Sequence, residues 1–464
     1  MRKILLGIVI WISLGCLSSN AQKSTNVTVK PNTITFLYGT KASGLEGKVV
    51  KKNGDFMRFD GVSKLEWRID VPSAGLYAVK ISYGSKKAGK DDRIEISSGK
   101  KMIKYSVRPT AGVWGEGSFE RIVLDETLSL EKGAQVLSIV VPGNDQVFDF
   151  RNLELMPVAA KSVIQTDEKS AHDSRAKSDW LAKAGYGLMF HWTSQSINQD
   201  GTIKAFDQAV EDFDLNAFVK MVEETGAGYV LFTIGHAEPY CPAPIKSWER
   251  YHPAHTAKRD LVMEMADKLN AKGIKLMCYF PTHVIGKYRK VGEREFSQIN
   301  RDIMTEFGQR YGDKVAGYWF DGWYQCFEEY PGFSFKDFFT ACKAGYSGRI
   351  ISLNSWIYPA VTEWQEYWAG EAASPVNTPV NGTVERGPGK GLRYQALIIM
   401  EPYWVQQKTE MPDPRFNDEE LSDYIEKCNA EGGAVTINLG IYQNGKIGDK
   451  ALQTMKKVKA RLRH

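Results

Sequence analysis

The second part of the chain, residues 179–464, alternates short apolar runs with amphipathic segments, and this alternation limits the possible folds more than any other feature. In two of the amphipathic segments apolar residues recur at helical spacing, and a glycine, Gly226 or Gly273, follows where a helix would end. Strands that alternate with helices indicate a parallel sheet with helical crossovers. The apolar runs are 186–191, 229–235, 275–280, 315–320, 349–354, 366–370, 396–400 and 434–438.

The carboxyl ends of these eight runs carry polar or ionisable residues. Eight strand–helix units within residues 179–464 predict a (β/α)8 barrel, a TIM-like fold whose enzymes place their chemistry at the carboxyl ends of the strands. A polar residue at one end can simply begin a loop, but three histidines, three carboxylates and two asparagines together favour a functional site. These residues are His191, His236, His283, Asp321, Asn354, Glu371, Glu401 and Asn438.

Residues 27–157 follow a different pattern, with apolar and polar side chains alternating along short segments. One such segment is 65–71 (LEWRIDV), and 72–75 forms the turn to the next. Many short strands without a clear helix predict an antiparallel β-sandwich. The polar stretch 158–178 that follows is interpreted as a linker leading into a short helix, so the chain is expected to be multidomain.

Residues 1–21 have the three-part layout of a secretory signal, with Met-Arg-Lys, an apolar run at 4–17 and small residues before position 22. The run is shorter than the roughly 20 residues that span a bilayer, and nothing similar recurs. The mature chain is therefore expected to be exported to the periplasm or the extracellular space without a transmembrane segment. A lipid anchor at Cys16 is the less favoured alternative, because Ser13 stands where lipoprotein signals usually carry leucine.

Charge and cysteine content argue against other classes. The net charge of +5 comes from 60 basic and 55 acidic residues without a long basic run, so nucleic-acid binding is not expected. The five cysteines after the signal have no close pairs, which argues against a disulfide framework or a zinc site. His252 and His255 have the spacing of a metal pair, but a proline intervenes and a third ligand is missing, so no metal or cofactor is expected.

One of the eight strand ends, Asp321, directly follows an apolar run and lies between tryptophans in 318–323 (YWFDGW). An apolar wall raises the cost of ionising a carboxyl group, while a nearby histidine or tryptophan N–H stabilises the charged form. Such a carboxyl group can be tuned for nucleophilic or acid–base chemistry. A solvated loop aspartate is the alternative.

Several motifs along residues 180–460 resemble the α-L-fucosidases of glycoside hydrolase family 29. Their order matches that of the family, and the fourth resembles the motif that carries the family's nucleophile. The resemblance implies a hydrolase that acts on α-L-fucosides. The motifs are 187–192 (GLMFHW), 229–236 (YVLFTIGH), 258–262 (KRDLV), 319–322 (WFDG) and 431–440 (EGGAVTINLG).

The resemblance also implies roles for individual residues. Asp321 takes the place of the nucleophile. His191 and His236 take places of ligands for sugar hydroxyl groups, and Tyr279 takes another. These four residues come from the ends of the first four predicted strands, which would bring them to one rim of the barrel.

Two glutamates compete for the acid/base role. The family's acid/base lies on a variable segment that looks most like 366–371 (EYWAGE), which implicates Glu371. Retaining hydrolysis needs two carboxyl groups about 5–5.5 Å apart, and Glu371 and Asp321 can both face the barrel mouth. Glu401, after the seventh strand, is the alternative acid/base, because other barrel hydrolases pair carboxylates after strands four and seven.

Three departures from the family concern positions that hold the sugar. The usual paired histidines appear as Gly235-His236, a Glu-Trp segment is replaced by the polar stretch 193–201, and Trp356 stands where an arginine is expected. A site that has lost a hydroxyl ligand discriminates differently between sugars. A sugar closely related to fucose is therefore an open alternative.

Aromatic residues provide further candidates, because nine of the 12 tryptophans fall within 180–404. Trp323 and Trp404 adjoin strand ends, where an indole ring can stack on the C–H face of a sugar or pack in the core. The N-terminal sandwich resembles non-catalytic carbohydrate-binding modules through 71–77 (VPSAGLY) and 130–134 (LEKGA). A sandwich that merely packs on the barrel is the alternative.

Together these patterns predict an exported, retaining exo-glycosidase that hydrolyses α-L-fucosides, or a closely related sugar, by double displacement. Its expected partner is an oligosaccharide or glycoconjugate substrate. Two alternatives stay open. One is a non-catalytic glycan-binding protein on a glycosidase barrel, and the other is a related glycosidase with a different sugar specificity.

Overall fold

The computed structural model describes residues 26–53, 56–85, 88–110, 119–142, 148–236, 238–281, 291–323, 330, 332–354, 362–373, 382–384 and 389–462. The expected signal and Cys16 lie outside these residues. Within the described ranges, none of the helices combines the length and the apolar character that crossing a membrane requires.

The first structural unit is a β-sandwich. Its strands are β1 (Val27–Thr28), β2 (Thr35–Tyr38), β3 (Gly44–Glu46), β4 (Val49–Asn53), β5 (Phe56–Phe59), β6 (Ser63–Val71), β7 (Gly75–Ser85), β8 (Arg93–Ser98), β9 (Lys101–Ser106), β10 (Glu120–Leu130), β11 (Gly133–Val141) and β12 (Phe148–Pro157). One six-stranded sheet has the order β1-β6-β11-β8-β9 with β3 beside β6, and the other has the order β10-β7-β12-β5-β4 with β2 beside β12.

The sandwich core follows from the alternation in the sequence. Along β6 every second side chain, including Leu65, Trp67 and Ile69, is buried in the hydrophobic core of the sandwich. The pairings between described strands are antiparallel except that of β1 with β6. The predicted antiparallel sandwich ahead of a barrel is therefore confirmed.

The second structural unit is a barrel of eight parallel strands, joined in the order β17-β16-β15-β14-β13-β20-β19-β18. The strands are β13 (Tyr186–Phe190), β14 (Tyr229–Thr233), β15 (Lys275–Pro281), β16 (Val315–Asp321), β17 (Ile350–Leu353), β18 (Tyr367–Ala373), β19 (Arg393–Ile399) and β20 (Ala434–Leu439). Seven ends lie close to the predicted ones. β18 continues past the predicted end, so Glu371 lies within the strand, at a shift in its pairing with β19.

Helices cover the outside of the barrel and occupy part of the predicted linker. They are α1 (Lys161–Asp173), α2 (Asp179–Lys183), α3 (Phe206–Glu211), α4 (Leu215–Thr225), α5 (Lys246–Tyr251), α6 (Leu261–Asn270), α7 (Glu293–Tyr311), α8 (Phe335–Cys342), α9 (Asp418–Ala430) and α10 (Asp449–Leu462). Side chains of Asp214 and Asp260 cap the N-termini of α4 and α6, which satisfies backbone N–H groups that have no partner within the helix.

Alternate residues of the barrel strands point inward and fill the barrel with side chains such as Met189, Leu231, Met277, Trp319 and Leu397. Residues an even number of positions further along the same strand face the same way, because side chains alternate with period two. This phase directs a set of polar side chains to the inner rim at the carboxyl ends. The set is His191, Tyr279, Asp321, Asn354, Glu371, Glu401 and Asn438.

Side chains help to close the barrel between its terminal strands, β17 and β18. The Glu366 backbone N–H donates to Ile351 O at 2.9 Å, and the Glu366 carboxylate accepts from Ile351 N at 2.8 Å. The same carboxylate accepts from Ala176 N at 3.1 Å and forms an ion pair with Lys343. Glu366 is 2% exposed, so this seam is a buried, charged connection directly below the rim.

The sandwich packs on the barrel through helix α1. Lys80 Nζ lies 3.7 Å from Glu168 on α1, and Arg121 binds both carboxylate oxygens of Glu154 beside it. Lys80, Arg121 and Glu154 are buried. On its other side, α1 accepts a hydrogen bond from the indole N–H of Trp364. Paired charges therefore join the sandwich, α1 and the barrel.

The seam gives a stability prediction. Glu366→Ala should lower the free energy of unfolding by about 3–5 kcal/mol, because it leaves the Lys343 ammonium largely buried without its carboxylate. Urea denaturation followed by circular dichroism measures the change. The control is Glu426→Ala, at an exposed position of α9, which should change the free energy by less than about 0.5 kcal/mol. Equal effects of the two substitutions would show that the seam contributes nothing specific.

Candidate active site

Asp321, the last residue of β16, receives three hydrogen bonds. The Tyr279 hydroxyl donates to Oδ2 at 2.7 Å, and Oδ1 accepts from Gly322 N at 2.8 Å and from Asn354 Nδ2 at 2.9 Å. Gly322 has φ of 77°, a left-handed conformation that favours glycine, and this turn brings its N–H to the carboxylate. Donors on both oxygens fix the orientation of the Asp321 carboxylate.

Asn354 connects Asp321 to Glu371. Its Nδ2 atom lies 2.9 Å from Asp321 Oδ1 and 2.5 Å from Glu371 Oε2, so these two oxygens are at most 5.4 Å apart, the sum of the two distances. Carboxyl groups of retaining glycosidases lie about 5–5.5 Å apart, whereas those of inverting enzymes lie about 6.5–9.5 Å apart. The site therefore has the spacing of a retaining pair.

Glu371 is suited to carry a proton at neutral pH. Burial and the charge of Asp321 raise the pKa of Glu371 to about 8, although the hydrogen bond from Asn354 acts in the opposite direction. A carboxyl group whose pKa lies above the working pH can donate a proton to a leaving group. The two carboxyl groups thus differ in what they can do, because Asp321 has three donors around it and Glu371 faces a negative neighbour.

A histidine and a tyrosine extend the hydrogen-bond chain beyond Asp321. His236 Nδ1 lies 3.1 Å from the Tyr279 hydroxyl, which donates its only proton to Asp321. The hydroxyl must therefore accept from His236, which assigns a proton to Nδ1 of that imidazole. Tyr279 also stacks on Trp319, with ring centroids 5.1 Å apart, so its position is fixed by packing as well as by hydrogen bonds.

His191 lies next to this chain, with its ring 4.3 Å from that of His236 and 5.0 Å from that of Tyr279. It is buried, and neither ring nitrogen has a hydrogen-bond partner among the described residues. Burial, reinforced by His236, lowers the pKa of His191 well below its usual value. The neutral ring offers one donor and one acceptor, which suits a hydroxyl group of a ligand.

Glu401 follows β19 and is 1% exposed. Its Oε2 accepts from Gly440 N at 2.8 Å, while Oε1 has no hydrogen-bond partner among the described residues. Burial raises the pKa of Glu401 to about 7, and the hydrogen bond from Gly440 opposes this shift. Glu401 can therefore also hold a proton near neutral pH, but its hydrogen bond goes to the backbone of the last strand and not to Asn354.

Three residues contribute polar atoms to the rim although the sequence gave them no role. Asn354 bridges the carboxyl groups. Trp319 Nε1 and Asn438 Oδ1 are buried without a hydrogen-bond partner in the described part of the chain. The signal was available, because Trp319 precedes Asp321 by two positions and both asparagines end predicted strands. Their partners depend on the closed barrel, which the sequence does not display.

The two tryptophans proposed to stack on a sugar lie in different environments. Trp404 is half-buried, with its ring 6.1 Å from that of His191, and stays a candidate. Trp323 is completely buried and packs against Phe333 and Phe338, with ring centroids 4.9 Å from each. The expectation that Trp323 contacts a sugar therefore disagrees with the structure. His283 and Trp356 lie outside the described residues.

Comparison with known families identifies one match. The profile of the family described as Alpha-L-fucosidase matches residues 199–463, which is more than half of the chain. No curated protein matches the chain.

Several solved structures resemble this chain. An α-L-fucosidase from Bacteroides thetaiotaomicron is 18% identical, with a TM-score of 0.49 over 62% of this chain and 74% of that chain. An α-L-fucosidase from Paenibacillus thiaminolyticus is 15% identical, with a TM-score of 0.48 over 61% and 74%. A third, from Lactobacillus casei in complex with α-L-fucose, is 16% identical, with a TM-score of 0.43 over 61% and 97%.

The shared amide of Asn354 gives a prediction for the pH profile. On an aryl α-L-fucoside, kcat/KM should fall above about pH 8, because Glu371 then loses its proton. In Asn354→Ala this alkaline limb should move to higher pH, because the lost hydrogen bond stabilised the charged carboxylate. Asn216→Ala, at an exposed position of α4, is the matched control and should leave the limb in place. A limb that stays or moves to lower pH in Asn354→Ala would contradict the assignment.

Proposed function

Because this chain belongs to the α-L-fucosidase family of glycoside hydrolases, we propose that it is a retaining exo-glycosidase that removes a terminal α-L-fucosyl residue from an oligosaccharide or glycoconjugate. One observation carries the proposal. Asn354 holds Asp321 and Glu371 so that their facing oxygens are at most 5.4 Å apart, the sum of its 2.9 and 2.5 Å hydrogen bonds. Water cannot attack from between carboxyl groups so close, whereas a covalent intermediate needs this spacing.

In the first step Glu371 is the acid and Asp321 the nucleophile. Glu371 gives its proton to the glycosidic oxygen while the bond from that oxygen to C1 breaks. A carboxylate oxygen of Asp321 forms a bond to C1 from the opposite face, which inverts the configuration and gives a glycosyl-enzyme. The three donors around Asp321 keep the carboxylate aimed at C1, and Tyr279 and Asn354 are therefore positioning residues in this step.

In the second step the roles of Glu371 reverse. Glu371, now ionised, takes a proton from a water molecule while the water oxygen bonds to C1 and the bond to Asp321 breaks. A second inversion restores the original configuration. Once the nucleophile is esterified its negative charge is gone, so the pKa of Glu371 falls and the group becomes the base that this step requires.

The sugar is proposed to bind the polar atoms that the protein leaves without partners. His191 and Glu401 offer such atoms beside His236, and Trp404 offers an aromatic face. Buried hydroxyl-binding groups discriminate strongly between sugars, because a sugar that lacks the hydroxyl leaves them unpaired. These contacts would select the terminal residue and exclude a chain that continues beyond it.

A sugar closely related to fucose is the second candidate, and one contact favours it. At Gly235, where the family usually has a histidine, an added Cβ atom would lie 2.9 Å from the carbonyl oxygen of Tyr240. The backbone of the following loop thus takes up space next to a position where the family places a hydroxyl ligand. Comparing kcat/KM on aryl α-L-fucoside and aryl α-L-galactoside separates the two candidates.

We also propose that the enzyme is exported. The support is the layout of residues 1–21, with basic residues, an apolar run and small residues before position 22. Export places the enzyme where glycans from outside the cell reach it, and an attachment through Cys16 is the less favoured form of the same proposal.

Azide rescue tests the role of each carboxyl group. In Glu371→Ala, hydrolysis of a fucoside with a poor leaving group should fall by about 10²–10⁴-fold, because its departure needs a proton. With a good leaving group the glycosyl-enzyme still forms, so azide should restore turnover and give α-L-fucosyl azide after two inversions. Product configuration is read by nuclear magnetic resonance.

Two further variants complete that experiment. Asp321→Ala should be nearly inactive, and azide should give β-L-fucosyl azide by a single inversion. Glu401→Ala, which removes the other buried carboxyl group of the rim, should show no dependence on azide. Rescue of Glu401→Ala but not of Glu371→Ala would move the acid/base role to Glu401, and activity near wild type in Asp321→Ala would overturn the mechanism.

A further inference from the structure

A cavity of about 620 Å³ lies between the sandwich, helix α1 and the barrel, away from the interior of the barrel. The sandwich contributes β2 and the segment before it, α1 contributes one wall, and the barrel contributes Phe333, Phe335 and Glu363. Its volume falls within the range of about 300–1,000 Å³ that small-ligand sites occupy. The catalytic mechanism makes no use of this cavity.

Aromatic surface lines the sandwich side of the cavity. Successive side chains of β2 point to opposite faces, so Leu37 enters the sandwich core while Phe36 and Tyr38 face the cavity. The rings of Phe36 and Tyr38 are nearly parallel, at 17°, with centroids 6.1 Å apart. Phe36 is half-buried, so part of its ring is open to a ligand. Phe335, also half-buried, lines the barrel side.

The charged groups of the cavity balance one another. Lys30, Lys41 and Arg121 supply three formal positive charges, and Asp167, Glu168 and Glu363 supply three negative ones. A binding site for a phosphate or another anion would carry an excess of positive charge. The balance therefore favours a ligand without net charge.

The polar groups also argue against a purely apolar ligand. Arg121 uses Nε and Nη2 to bind Glu154, and its Nη1 has no hydrogen-bond partner among the described residues. Thr28, Asn32 and Thr33 add hydroxyl and amide groups around the opening. A lipid tail or an apolar peptide would leave these groups without partners, which is costly. The cavity thus combines flat aromatic surface with many neutral hydrogen-bonding groups and balanced charges.

From this combination we infer that the cavity is a second carbohydrate site, which binds a neutral oligosaccharide without hydrolysing it. Sugar rings present C–H faces that stack on aromatic rings such as Phe36, and hydroxyl groups that pair with guanidinium, carboxylate and hydroxyl groups. The site would hold part of a glycan on the enzyme while the barrel acts on a terminal residue. The existence of the site does not rest on the proposed function, whereas the choice of a fucosylated probe does.

Titration calorimetry of the full chain carrying Asp321→Ala tests the inference, with 2′-fucosyllactose as the probe. We expect two binding events. An iminosugar analogue of fucose in excess should abolish the one in the barrel and leave the other. Adding Phe36→Ala should weaken the inhibitor-resistant event by about tenfold, because the stacking surface is lost. Phe36→Trp should preserve that event, and Leu76→Ala, at an exposed sandwich position that does not line the cavity, should have no effect.

The possible outcomes separate this inference from the proposed function. Inhibitor-resistant binding that is lost in Phe36→Ala, with an unchanged melting temperature, supports the cavity site even if the inhibitor-sensitive event is missing, in which case the proposed function fails instead. A single event that the inhibitor abolishes overturns the cavity site and leaves the proposed function intact. Resistant binding that is equal in Phe36→Ala and Leu76→Ala, or no binding at all, also overturns the cavity site.

Discussion

A single side-chain amide, that of Asn354, holds the two carboxyl groups on which the site depends. Two negative charges at most 5.4 Å apart, the sum of the two amide distances, repel each other in a desolvated pocket. The repulsion is relieved when Glu371 keeps its proton, which is why its pKa rises to about 8. The same geometry therefore creates the short distance that a covalent intermediate needs and the protonated acid that starts the reaction.

The position of Asn354 is itself a product of how the barrel closes. Asn354 follows β17 and reaches across to β18, at the seam where the Glu366 carboxylate joins the two strands from below. On the other side, Tyr279 and His236 continue the hydrogen-bond chain around the rim. Residues from five strands or strand ends are thus linked, and the buried charge of Glu366, paired with Lys343, supports the rim from within the wall.

The sequence predicted the fold well because periodicity records which face of each element is buried. It revealed the eight barrel strands and seven of the sandwich strands, but not β1 to β5, which are short and in part exposed. It singled out Asp321 and Glu371 as candidates because both end apolar runs. The bridge through Asn354 could not be predicted, because it depends on a side-chain seam between strands. Trp323 was placed wrongly since the left-handed turn at Gly322 carries it into the outer aromatic layer.

The central claim, that Asp321 is the nucleophile facing a protonated Glu371, is tested most directly by trapping the glycosyl-enzyme. Glu371→Gln should react with 2-deoxy-2-fluoro-fucosyl fluoride, because fluoride leaves without a proton while the second step lacks its base. Peptide mapping by mass spectrometry should then locate one fluorofucosyl group on Asp321. A label on another residue, or hydrolysis that gives inverted product without any label, would contradict the account.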